Sequence, residues 1–170
     1  MSEALPPEPW LRGTLREIQV VPRAVLHALQ LAHEDLERWC GQLTDGELNA
    51  RPAGIAPVAF HMRHVARSID RLLSYAEGSQ LSREQIAALK TELDPGARRD
   101  ELFAEFTSAL AAGAARIEAL DTAELNQTRA VGRNQLPTTV GGLLVHVADH
   151  TQRHVGQAIT TAKVVAAQGG

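Results

Sequence analysis

The stretch His146-Val-Ala-Asp-His-Thr-Gln-Arg-His-Val-Gly-Gln157 decides the fold. Val147, Ala148 and Val155, with Val140, Leu144, Ala158 and Ile159 on either side, recur at three- and four-residue steps, the period of one apolar helix face. With His150 at zero on a wheel of about 100° per residue, these residues occupy an arc from about +60° to 180°. Asp149, Arg153 and Lys163 take the opposite side. His154 lies about 40° toward the apolar arc and His146 about 40° toward the polar side. His150 and His154, one turn apart, are therefore the better pair to share an ion. Gln157 and Thr161 continue the polar stripe where the packed face begins, as a polar-lined cavity requires.

A second histidine window lies upstream, at His61-Met-Arg-His-Val-Ala-Arg-Ser-Ile-Asp70. Here Val58, Met62, Val65, Ile69, Leu72 and Ala76 form the apolar arc, and Arg63, Arg67 and Asp70 the polar one. His64 and Ser68 sit on the boundary, with His61 nearer the apolar centre. By geometry alone either histidine can supply a third ligand. Arg63, Arg67 and Arg71 repeat along this helix and read as a solvated cationic ridge.

The rest of the chain supplies two more long helices. One runs from about Leu15 to Leu43, and another from about Arg98 to Leu120 with Leu102, Phe106, Leu110, Ala114 and Ile117 as its stripe. The histidine helices span about Pro57 to Glu77 and, capped by Thr138 or Thr139, to about Val165. Thr44-x-x-Glu47 and Ser82-x-x-Gln85 are capping boxes that open short connecting helices. Residues 121 to 137 read as a polar loop through Gly132 and Pro137. Pro6, Pro7, Pro9 and Gly13 forbid regular helix, so residues 1–13 read as a tail that packs Trp10 on the body, and 14–167 as one domain. The fold class is all-α: a four-helix bundle with short connecting helices.

Composition agrees. The 170 residues include 27 Ala and 21 Leu against three Phe, two Trp and one Tyr, favouring helices over strands. A formal net charge of −3 provides no basic field for nucleic acid, and no segment reads as a membrane span. Cys40 alone makes no internal disulfide and reads as a small packed residue, and the first residues lack the pattern of a secretory leader. A cytoplasmic protein is the expectation.

Clustered imidazoles suit a borderline divalent ion, Zn²⁺ or Ni²⁺, better than a hard cation that prefers oxygen. Three protein ligands leave a position for water or substrate. Ser68, Asp149 and Gln157, with the flanking His61 and His146, are candidates for orienting the ligands or substrate.

These residues carry a resemblance. The two histidine windows, the Arg71-Leu-Leu that follows the first, and the Leu-Thr-Asp-x-x-Leu-Asn-Ala-Arg-Pro ending of the first helix resemble the DinB-like (DinB/YfiT) superfamily. The resemblance implies a four-helix bundle, often a homodimer, with one divalent metal on His64, His150 and His154. It also implies a small-molecule substrate: some members transfer low-molecular-weight thiols, others are isomerases or hydrolases. The expectation is a metal-dependent enzyme of thiol-transferase or hydrolase type. The alternative is a non-catalytic metal-binding or stress-response protein whose ion is structural.

Overall fold

Four long helices, α1 (Val20–Cys40), α3 (Val58–Ala76), α5 (Arg99–Ala119) and α6 (Val140–Gln168), carry the apolar stripes that the helical period predicts. A computed structural model describes residues 6–168. Met1–Leu5 of the expected tail and Gly169–Gly170 at the other end lie outside the described residues. Two short helices, α2 (Asp45–Asn49) and α4 (Arg83–Leu89), connect the long ones, each opened by the expected capping box. In α2 the Glu47 backbone N–H donates to Thr44 Oγ1 at 3.3 Å while the Thr44 N–H donates to the Glu47 carboxylate at 2.8 Å. Two of the donors that every helix start leaves unpaired are satisfied in this way.

The bundle is cyclic. Helices α1 and α3 each pack against both α5 and α6, and the most extensive pairings are those of α3 and α1 with α6. The shared interior is filled by Val25, Leu29 and Leu36 of α1, Met62, Val65 and Ile69 of α3, Phe106 and Ile117 of α5, and Leu144, Val147 and Val155 of α6. At about 25 cal/mol per Å² of apolar surface removed from water, this burial is the main force holding the helices together.

Three expectations need correction. Helix α1 begins at Val20 rather than near Leu15, because Leu15 has a positive φ of 56° that no helix accommodates. Pro22 then falls in the first turn, where its missing N–H costs nothing. The expected polar loop contains a hairpin, β1 (Thr128–Val131) and β2 (Leu136–Thr139), paired antiparallel from Thr128↔Thr139 to Val131↔Leu136. Tertiary contacts hold it: Val131 packs on Tyr75 and Leu143, and Arg129 Nε donates to the Ala76 carbonyl at 2.7 Å. Finally, Trp10 does not pack on the body; it is 62% exposed, and Pro9 is the buried residue. The segment is tied down instead by Arg12, whose guanidinium grips the Glu34 carboxylate of α1 at 2.6 and 2.7 Å.

Thr139 caps α6 as expected, its Oγ1 accepting from the Gly142 N–H at 3.0 Å. Among the described residues no helix is long and apolar enough to cross a membrane.

Candidate metal centre

The seam between α3 and α6 collects the histidines. His64 lies nearly two turns beyond the start of α3, and His150 and His154 lie one turn apart in the middle of α6. Their imidazoles form a cluster, with ring centroids 4.4 Å apart for His64 and His154, 4.6 Å for His150 and His154, and 4.9 Å for His64 and His150. One nitrogen from each lies within 4.8 Å of the others, so the three half-buried side chains can hold a metal ion. His64 Nε2 and His150 Nε2 are 3.2 Å apart. Tetrahedral zinc, with Zn–N bonds of about 2.0 to 2.1 Å, sets its ligand nitrogens about 3.3 Å apart, so this pair already stands at ligand spacing.

Charge state fits as well. Burial first, and the neighbouring imidazoles second, push His61 and His150 down to about 4; burial and then His64 do the same for His154. At neutral pH these rings are uncharged, and a neutral ring keeps the lone pair that a metal needs. Phe60 stacks on His64 with centroids 5.3 Å apart and meets His61 edge-on at 5.2 Å, giving the cluster an apolar wall.

The other expected residues separate into three groups. His61 and Ser68 are buried in the seam. His61 Nδ1 lies 3.0 Å from His154 Nδ1, which leaves His154 Nε2 as the nitrogen free for an ion. Gln157 is exposed and lines a cleft of about 600 Å³ beside His61 and His154, together with Phe60 and Ile55. His146 and Asp149 are on the surface. His146 Nδ1 lies 3.9 Å from Asp149, whose carboxylate accepts from Arg153 at 2.6 Å, and neither joins the three-histidine group. A separate cleft of about 260 Å³ runs past His64, His146 and His150 on the Tyr75 side.

The arginine ridge is only partly solvated. Arg67 pairs with Glu105 at 2.7 Å, Arg63 donates to the Asp94 carbonyl at 2.6 Å, and Arg71 is buried. Arg71 leads to the residue that the sequence pattern misses, Glu92, in the turn after α4. Glu92 is 5% exposed, and its Oε2 accepts from His64 Nδ1 at 2.7 Å while its Oε1 accepts from Arg71 Nη1 at 2.8 Å. Arg71 Nη2 in turn donates to Ser68 Oγ at 2.9 Å. Burial opposes the Glu92 charge, but the bonds from His64 and Arg71 outweigh it and hold the carboxyl below its ordinary range. No periodicity marks Glu92; the one signal was Arg71, a cation on the same helix face as His64.

Comparison with known proteins adds the family. None of the curated proteins matches the chain. A crystal structure described as that of the conserved protein of a locus from Enterococcus faecalis has a similar fold, with a TM-score of 0.72 and 22% identity over 88% of this chain and 99% of that one. The sequence model of the DinB superfamily matches residues 28–158, a span that takes in α3, all three clustered histidines and most of the bundle, and the chain belongs to that superfamily.

Proposed function

We propose that His64, His150 and His154 bind one divalent ion, Zn²⁺ or Ni²⁺, and that the protein is a metal-dependent enzyme acting on a small molecule in the cleft beside them. The observation that carries this reading is the convergence of three imidazole nitrogens from two helices, one pair of them at 3.2 Å. A divalent ion at such a site is a Lewis acid that lowers the pKa of a coordinated water or thiol and so supplies a nucleophile near neutral pH. Three protein ligands are the set found at catalytic zinc sites, which keep a position open. His61 orients His154 through their Nδ1 atoms. Phe60 and Ile55 contribute the apolar wall against which a substrate body packs, and Gln157 a polar group at the rim. Transfer to or from a low-molecular-weight thiol, or hydrolysis, is the reaction class that the resemblance to the DinB-like superfamily implies.

Elemental analysis of purified protein reloaded with zinc or nickel tests the ligand set. One equivalent in the wild type, lost in His154→Ala, is the expected result; full retention by the variant overturns it. A screen of thiol transfer and ester hydrolysis then tests the enzyme. A large fall in melting temperature on chelation, with no thiol or anion perturbing the spectrum of the cobalt-loaded protein, would assign the ion a structural role instead.

A further inference from the structure

We infer that Glu92 is a positioning residue that selects the tautomer of His64, and that Arg71, braced by Ser68, holds the Glu92 carboxylate in place. The inference rests on the proposed metal site and specifies how one ligand is prepared for it.

The argument starts from donor and acceptor inventory. An ionised carboxylate only accepts, so the 2.7 Å contact with Glu92 Oε2 requires the proton of His64 to sit on Nδ1. Nε2 is then left with its lone pair, and Nε2 is the atom that faces His150 at 3.2 Å. An imidazole without that partner divides between two tautomers, one of which presents N–H to the site and cannot coordinate. A carboxylate behind a ligating imidazole also makes the ring more basic and fixes its plane, effects worth about 10- to 100-fold in metal affinity.

Arg71 secures the carboxylate from the other side. Glu92 lies on the Nδ1 side of His64, away from the Nε2 that faces His150. Its other oxygen is taken by Arg71 Nη1 at 2.8 Å, and the guanidinium is fixed by Ser68 Oγ at 2.9 Å. His64, Ser68 and Arg71 are spaced at i, i+4 and i+7 on α3, so a single helix face carries the ligand and the brace. Glu92 comes from outside that helix, in the turn that follows α4. A buried ion pair contributes little net stability, because desolvation offsets most of its attraction. Stability alone therefore gives no reason to bury Glu92 at 5% exposure beneath a short connection, whereas holding His64 does.

Two measurements on the whole protein test this, one without metal. In metal-free protein, long-range proton–nitrogen NMR of the imidazoles should show His64 as the Nδ1–H tautomer in the wild type and shifted toward Nε2–H in Glu92→Ala. Zinc affinity, measured by competition with a chromophoric chelator, should fall about 10- to 100-fold in Glu92→Ala. Glu92→Gln, whose amide oxygen still accepts from Nδ1, should recover part of that loss and keeps the test open if the alanine variant fails to fold. An Nε2–H tautomer in wild-type His64, or zinc affinity within threefold of wild type in both variants, overturns the inference. Absence of metal binding by the wild type would overturn the metal site itself, while the tautomer would still report on Glu92.

Discussion

Gly113, about two-thirds of the way along α5, sets how closely that helix approaches α3, and Gly113→Ala should destabilise the protein even though alanine is the better helix former. A Cβ added there lies 2.6 Å from Ile69 Cγ2, with Leu73 Cδ1 at 3.7 Å and Leu29 Cδ1 at 3.9 Å behind it. Carbon atoms settle at about 3.5 to 4.0 Å, so roughly 1 Å of movement must be found. Ile69 is 1% exposed in the centre of the core and has nowhere to retreat except by shifting α3. Overpacking of this kind costs about 1 to 3 kcal/mol, against a gain of up to about 1 kcal/mol in helix propensity. The net expectation is a loss of about 1 kcal/mol, or a fall of about 2 to 4 °C in melting temperature for a chain of this size. Gly156→Ala is the internal control: it lies in α6 with nothing within 4 Å of the new Cβ, so only the propensity gain applies. Thermal unfolding of both variants without metal decides the matter. If Gly113→Ala rises as much as Gly156→Ala, the close approach of α5 to α3 is wrong.

Two further outcomes are expected. Chelator-treated protein should lose stability as pH falls from about 6.5 to about 4. Folding holds His61, His150 and His154 at about 4 against an ordinary 6.5, so the unfolded chain binds more protons throughout that window. Above the window these groups contribute no slope, and urea midpoints that rise on acidification would contradict the burial of the cluster. Cys40, fully buried and with its thiol pushed up to about 12 by that burial, should resist an aromatic disulfide reagent in the native protein and react fully once unfolded. Rapid stoichiometric labelling of the native state would refute its packing.

Helical period made the histidine faces legible, because His64, His150 and His154 reveal their side of the bundle through the apolar residues three and four positions away. The wheel correctly set His154 inward and His146 outward, and it put His61 near the apolar centre, where it is buried. It failed at Arg71 for an equally physical reason. A residue on the boundary between faces is solvated or covered according to what packs over it, and α3 is overlain there by the turn carrying Glu92. That contact joins residues 21 apart through a loop, and local pattern holds no information about it. The hairpin escaped notice likewise: strands of four residues, one containing Pro137, look like loop until Tyr75 and Leu143 are seen beneath Val131.

The placement of the core bears on what an ion would be for. Small zinc-dependent folds bind their metal in place of a core, and removing the ion unfolds them. Here Leu36, Phe106, Ile117 and Leu144 are fully buried in a cluster that draws on all four long helices, and the described residues contain no buried side-chain polar atom without a partner. Three of the four clustered imidazoles, His61, His150 and His154, are held neutral by burial. The helix packing that builds the core thus also holds these imidazoles neutral, without needing an ion to offset charge repulsion among those three. His154 lines the cleft of about 600 Å³, and His64 and His150 the cleft of about 260 Å³, so the cluster opens to small molecules on two sides. An ion bound at this site is therefore not what assembles the core.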